Sequence, residues 1–364
     1  MKRCTSCILP DCTPGITFDQ MGVCSHCHTY EPFERAGETQ LLSLLERHRR
    51  TDGGYDCMVP LSGGRDSTFT LYKLVRDYGM KVLAVNYENP FTHPQARANI
   101  ENATAALGVE AVSFKLANRI HERSFRHCMI AWLQRPSPAL IPMVCLACKT
   151  MWWRFLSIAR KHGIHCIISG GNPFEYTSFK KELLQVGRDV GHEEMLTRAT
   201  GGLLKQLLHN PAYLSPSYLP TMATAYLFGD PYTIGTRLLG RGILREDLFH
   251  YLEWDEQTVL STIQTQLGWD YPRQQGSTWR FDCRIGHLKD VMYMSTIGMT
   301  EKDDFYSKMI REGSMTRQQA LARIETENKL AVNDVRALLD EYGIPQGGLL
   351  RDAMDEISAH QATR

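Results

Sequence analysis

The chain has 364 residues, 43% of them hydrophobic and 22% charged, with 41 basic against 40 acidic side chains. That is too apolar for a disordered chain, and the near-neutral balance argues against a general nucleic-acid-binding surface. No apolar run reaches the roughly 18 residues of a membrane span, and Met1-Lys2-Arg3-Cys4 leads straight into cysteines rather than into the apolar region of a signal peptide. A cytosolic protein with no membrane partner is the expectation, and in a reducing compartment the eleven cysteines read as metal ligands, redox groups or packing before disulfides.

Cys4 and Cys7 form one C-x-x-C, Cys24 and Cys27 a second, with sixteen residues between the pairs. This spacing fits two tight knuckles closing one tetrahedral Zn2+ site with four thiolates, which leaves no open position and makes the ion structural. A disulfide or redox pair is the competing reading, and Cys12, His26 and His28 are spare donors nearby. Pro10, Pro14, Gly15 and Gly22 mark turns around a short strand at Ile16-Thr17-Phe18, so residues 1–35 are expected to form a zinc-ribbon-like module.

Tyr55–Leu61 reads as a buried strand, Ser62-Gly63-Gly64-Arg65-Asp66-Ser67 as a loop, and Thr68–Tyr78 as a helix with Phe69, Leu71, Tyr72, Leu74 and Val75 at helical spacing. Strand, glycine loop and helix together put backbone N–H groups and a helix N-terminus around a phosphate. Gly63 and Gly64 let the backbone approach the oxygens, Ser62 and Ser67 add hydroxyl donors, Arg65 adds a cation, and Asp66 is placed to help hold Mg2+. The plain alternative is a Ser/Gly turn capping a helix. The G-x-x-x-x-G-K-[ST] loop of γ-phosphate hydrolases is absent.

The S-G-G-x-D-S run after a strand resembles the PP-loop of the ATP pyrophosphatases, the adenine-nucleotide α-hydrolase-like superfamily. That resemblance implies an ATP site in which the loop holds the β,γ-pyrophosphate while a substrate oxygen attacks the α-phosphorus. Members often carry Lys where this chain has Arg65, a planar fork in place of a point charge.

Further strands are expected at Lys81–Tyr87, Val109–Leu116 and Ile164–Ile168, with helices at Gln95–Leu107 and Lys149–His162. The alternation predicts an α/β fold, a doubly wound parallel sheet over residues 36–185, with ligands at the carboxyl ends of its strands. By resemblance, two of those ends meet the nucleotide: Asn86 and Tyr87 at adenine and ribose, and Gly170, Gly171 and Asn172 near the phosphates. Each of them alone is also readable as a polar loop.

Cys145 and Cys148 form a third C-x-x-C ahead of Trp152, Trp153 and Phe155, and Cys283 follows far downstream within Trp279-Arg280-Phe281-Asp282-Cys283-Arg284. Two close cysteines plus a distant one resemble the three-cysteine site of PP-loop tRNA thiolases, which implies a [4Fe–4S] cluster with one iron open. Zinc completed by His or Asp, a redox pair and plain packing are the alternatives. Cys57, Cys128 and Cys166 lie in apolar stretches and read as core.

The order C-x-x-C-x-L-P-D, P-G-I-T-F-D, G-V-C-x-x-C and D-C-x-V-x-x-S-G-G-x-D-S, with Trp279–Arg284 and Met309–Arg317 downstream, is most similar to N-acetyl sugar amidotransferases over residues 1–185 and 270–325. This implies adenylation of a substrate oxygen, then nitrogen transfer to a sugar-nucleotide substrate in surface-polysaccharide synthesis. A separate glutaminase subunit would supply the ammonia. Sulfide in place of ammonia, an iron–sulfur sulfurtransferase acting on a small molecule or a tRNA base, is the alternative, and a non-catalytic nucleotide-binding partner is a second. In either enzyme Arg65, Asp66, Cys145, Cys148 and Cys283 are the expected reacting groups. Residues 186–270 are expected to be a loop-rich or helical insertion shaping substrate choice. Residues 271–364 should end in amphipathic helices at Thr316–Glu327, Leu330–Tyr342 and Leu349–His360, stopped by Gly313 and Gly343, serving packing or oligomerisation.

Overall fold

Alternation of β-rich apolar runs with helical stretches produces a five-stranded, all-parallel sheet in the order β3-β2-β1-β4-β5. The structure is a computed structural model and describes residues 1–184, 186, 192–229, 233–273, 276–327 and 330–362. The strands are β1 Cys57–Pro60, β2 Val82–Tyr87, β3 Ala111–Phe114, β4 Cys166–Ser169 and β5 Leu244–Asp247. Cys57 pairs with Val82 and Pro60 with Val85 along β1 and β2, and Ala84 with Ala111 along β2 and β3.

Side chains alternate between the two faces with the period of a strand. Cys57, Val59, Val82, Ala84, Cys166 and Ile168 enter one apolar core, while Met58, Leu83, Val85 and Ile167 enter another on the opposite face. Both faces are therefore covered, as a parallel sheet requires. Chain order reverses at β1, which lies between β2 and β4, so the loop after β1 leaves the sheet at its switch point, where α/β sheets open a crevice.

The helices that bear on that crevice are α1 Arg65–Tyr72, α2 Pro94–Leu107, α3 Ile120–Gln134, α4 Met151–Lys161, α5 Glu256–Leu267, α6 Ile285–Ile297, α7 Glu301–Arg311, α8 Arg317–Glu327, α9 Val332–Glu341 and α10 Gly348–Ala362. The expected continuation of α1 to Tyr78 is made by a π-helical turn, Lys73–Asp77. A third core joins α3, α6, α9 and α10 to the cysteine knuckles near the start of the chain.

The 186–270 segment, expected to be loop-rich or helical, is helical and also supplies a strand of the sheet. It holds helices His192–His209, Leu219–Phe228 and Ile234–Leu239, then β5 itself and α5. Leu244-Arg245-Glu246-Asp247 carries three charges in four residues, which is why no apolar run announced an edge strand there. Residues 187–191 and 230–232 of that segment lie outside the described residues. Among the described residues one helical run, Pro138–Lys161, is long and apolar enough by composition to cross a membrane, and half of its apolar window is buried within the fold.

Candidate active site

The loop after β1 is shaped by close approach. Gly63 has φ +81°, and a Cβ there would lie 2.0 Å from the Ala96 carbonyl oxygen, so a side chain has neither the backbone angle nor the room. The Gly63 carbonyl accepts from Trp269 Nε1 at 3.0 Å and Asn99 Nδ2 at 3.2 Å, which ties the loop to α2 and to the segment after α5. The Ser62 and Ser67 hydroxyls lie 3.2 Å apart and the Gly64 N–H donates to Ser62 Oγ at 3.2 Å, grouping polar hydrogens at the start of α1. From β4, Gly170 presses against the loop: a Cβ there would come within 2.6 Å of the Asp66 carbonyl carbon. Gly171 donates its N–H to Asp247, the last residue of β5, at 3.2 Å.

These turns open onto a cavity of about 320 Å³. The loop contributes Ser62, Gly64, Arg65, Asp66 and Ser67 and the β4 turn Gly170; the remaining lining comes from Cys145 and Glu175 and, far along the chain, from Thr278, Arg280, Asp282, Cys283, Gly286 and Lys289. Arg65 is buried, held 2.5 Å from Glu256 Oε1 and 2.9 Å from Thr278 Oγ1, with its guanidinium 4.8 Å from the centre of the Trp254 ring. Its Nη2 is buried without a hydrogen-bond partner, an unsatisfied donor of the kind a phosphate oxygen would take up. Burial pushes the Asp66 carboxyl up to about 6 against the pull of Arg65, while Trp254 Nε1 donates to it at 2.9 Å. Asp282 is also raised by burial and takes a hydrogen bond from Ser62. Glu175 also lines the cavity, but the three carboxylates do not bring their oxygens all within 4.8 Å of one another; hard oxygens of this type suit Mg2+, which takes one or two carboxylates and fills its shell with phosphate oxygens and water.

Behind them Glu301, at the start of α7, accepts from Arg280 and Lys289 at 3.0 Å each and also from Lys180. Burial alone would raise this carboxyl, but the three cations hold it well below the ordinary range. Arg280 sits at φ +53°, a left-handed backbone that a non-glycine residue adopts only where its surroundings enforce it.

Cys283 reaches the sheet because its segment is stitched to the loop after β2. His93 donates its N–H to the Asp282 carbonyl and Arg284 its N–H to the Phe91 carbonyl, each at 2.9 Å, with a bridge between Thr92 and Cys283. Cys145 and Cys283 line the cavity; the Cys148 sulfur, which does not, lies 3.2 Å from His121 Nε2 and 4.0 Å from its Nδ1. Burial, reinforced by the neighbouring thiols, pushes Cys283 up to about 12 and Cys148 well above its ordinary value. The three are near enough to feel one another but lack single-ion spacing, since among the described residues only Cys4, Cys7, Cys24 and Cys27 bring their ligand atoms all within 4.8 Å. Three thiols are the donor type that iron–sulfur clusters take.

In the knuckle module the sulfur separations are 3.9 Å for Cys4 to Cys27, 3.7 Å for Cys7 to Cys24 and 3.6 Å for Cys24 to Cys27. A tetrahedron with metal–sulfur bonds of about 2.3 Å has edges of about 3.8 Å, so the four thiols stand as one ion would hold them. Backbone N–H groups of Cys7 and Cys24 point at Cys4 Sγ from 3.4 and 3.2 Å, stabilising thiolate charge.

Asn86 and Tyr87, expected against adenine and ribose, do not line the cavity. Asn86 Nδ2 donates to the Leu61 carbonyl at 2.8 Å, clamping β1 to β2, and the Tyr87 hydroxyl meets His121 Nδ1 at 2.8 Å. Asn172 Oδ1 caps a short turn by accepting the Phe174 N–H at 2.9 Å, while its Nδ2, buried without a hydrogen-bond partner, is left beside Asp66 in the loop after β1. Of these, Asn86 answers a backbone need at its strand end. Glu175, Arg280, Asp282 and Lys289 went unassigned in the sequence; the signal available was the charge density around Cys283.

Residues 54–189 match the family model described as "ThiI: Thiamine biosynthesis protein (ThiI)". No curated protein matches. Among solved structures, the U34-tRNA thiolase NcsA from Methanococcus maripaludis with its [4Fe-4S] cluster is similar at 14% identity, over 91% of this chain and 92% of that one, with a TM-score of 0.33, a likeness too loose to argue from. The family match is not to an amidotransferase, so the expected nitrogen transfer, its polysaccharide setting and its glutaminase subunit gain no support.

Proposed function

We propose, from the family match over residues 54–189 and the S-G-G-x-D-S loop after β1, that this part of the chain is a PP-loop domain of the ATP-pyrophosphatase type and that the enzyme adenylates a substrate oxygen with ATP and then replaces that oxygen by sulfur. The observation that carries the reading is that a phosphate-cradling loop and two thiols, Cys145 and Cys283, line one cavity of about 320 Å³.

In this reading the N–H groups at the start of α1, with Ser62 and Ser67, hold the β,γ-phosphates, and the free Nη2 of Arg65 takes one phosphate oxygen. Asp66, with Asp282 or Glu175 and the phosphate oxygens, would hold Mg2+. The substrate oxygen bonds to the α-phosphorus as the bond to the β-phosphate bridging oxygen breaks, releasing pyrophosphate. Sulfur then bonds to the activated carbon as the carbon–oxygen bond breaks, and AMP departs with the oxygen and its electron pair. Cys145, Cys148 and Cys283 would hold a [4Fe–4S] cluster, which when bound supplies an iron not ligated by cysteine at which sulfide can be presented. The Cys4 set would hold a structural zinc ion. All eleven cysteines are unbridged, which suits a reducing compartment.

The test is an anaerobic preparation of the full chain assayed for iron, acid-labile sulfide, zinc and ATP-dependent pyrophosphate release. One cluster and one zinc per chain are expected, with Asp66→Asn abolishing pyrophosphate release and leaving the metal content intact. Zinc without iron, together with substrate turnover driven by ammonia, would defeat the sulfur reading.

A further inference from the structure

Trp254 and Glu256 flank Asp255, the N-cap of α5, and both meet the start of α1 from far along the chain. Trp254 is 1% exposed, and its Nε1 donates to Asp66 Oδ1 at 2.9 Å. Over the face of the same indole lies the Arg65 guanidinium, 4.8 Å from the ring centroid. Glu256 Oε1 takes Arg65 Nη1 at 2.5 Å, and both oxygens of Glu256 are held in turn by Arg323 of α8. Arg65 Nε lies 3.4 Å from Asp66 Oδ1, so one indole touches both members of an adjacent cation–carboxylate pair. Indole is suited to that double task. Its edge carries a donor and no acceptor, and its face attracts a cation, so it holds a carboxylate and a guanidinium without competing for either charge.

We propose that Trp254 is the positioning residue of the loop's charged pair: its N–H fixes the orientation in which Asp66 meets Mg2+, and its ring, with Glu256 at Nη1, fixes the Arg65 guanidinium. The proposal rests on the ATP reading above and deepens it, bringing into the nucleotide site a residue of the 186–270 segment that does not line the cavity. A carboxylate free to turn among rotamers pays for its ordering each time a cation arrives. One already tied at Oδ1 by a buried donor does not.

The full-length wild type, Trp254→Phe and Trp254→Leu are compared by isothermal titration calorimetry with ATP, in the presence and absence of Mg2+. Phe keeps a ring face for Arg65 and lacks the N–H; Leu lacks both. Trp254→Phe should weaken ATP binding in Mg2+ about tenfold, at the low end of what losing the partner of a metal-holding carboxylate costs. Binding of metal-free ATP to that variant should stay within about twofold of wild type, whereas Trp254→Leu should weaken both. In an Asp66→Ala background Trp254→Phe should add no further loss, because the two changes act through one carboxylate. Should Trp254→Leu not fold, the Phe variant and the double-mutant comparison carry the test. A folded Trp254→Phe with wild-type affinity in Mg2+ and only a lowered melting temperature would make Trp254 a packing residue and overturn the proposal. Additive losses with Asp66→Ala would overturn it as well. A wild-type chain that binds no ATP is a different failure: it removes the nucleotide reading and this proposal with it.

Discussion

Gly63 shows how little freedom the loop has. Its φ of +81° and the 2.0 Å approach of a would-be Cβ to the Ala96 carbonyl predict that Gly63→Ala loses at least about 2 kcal/mol of stability together with ATP binding. A urea titration and an ATP-binding isotherm would check both, and a variant that binds ATP like wild type would show that the loop can shift. Asp282→Asn should leave the fold alone yet lower pyrophosphate release about a hundredfold, because it removes one of the carboxylates facing the loop. The loop itself was legible because S-G-G-x-D-S concentrates glycine and hydroxyl at a strand end. Asp282 and Arg280 were not, since only folding brings residues some 220 positions downstream to Ser62. Asn86 and Tyr87, expected at the nucleotide, lie off the cavity, where Asn86 holds the Leu61 carbonyl and Tyr87 meets His121.

At the scale of elements, α7 is unusual in burying charge along its first turn, with Glu301, Lys302, Asp303 and Asp304 all under 5% exposed. Glu301→Gln would leave Lys180, Arg280 and Lys289 sharing a neutral amide and should cost about 3–5 kcal/mol at pH 7. Because the folded carboxyl is depressed, its contribution is complete above the unfolded value near 4.5 and fades as pH falls through the folded value. The gap between wild type and variant should therefore hold from pH 8 to about 5 and narrow only in stronger acid, as pH-dependent denaturant melts would reveal. Helix ends were readable here, since Gly313 and Gly343 adopt φ +79° and +59° as stop residues. The strand β5 was not readable, because an edge strand can be charged when its neighbour supplies the apolar faces.

For the whole molecule, the cysteine knuckles bind to α7 and α8 rather than standing apart. Arg3 donates to Asp303 at 2.7 Å, Ile8 N–H to Ser307 at 3.3 Å, and Arg317 Nε to the Cys4 and Cys7 carbonyls at 3.1 and 2.9 Å. With zinc bound at the knuckles as proposed, its chelation, or Cys24→Ser, should thus lower one cooperative melting transition of the chain, by more than about 4 kcal/mol, instead of erasing a small separate one. Calorimetry with and without chelator distinguishes the two, and a separate low-temperature peak would contradict the docking. The same docking sets a timetable during synthesis. Arg3 and Asp303 are 300 residues apart, and at roughly 5–20 residues per second a ribosome needs about 15–60 s to cover that distance. For that interval four thiols made early have no helix to settle on. Whatever ion they capture in the meantime, the finished protein inherits only if the late helices close over it.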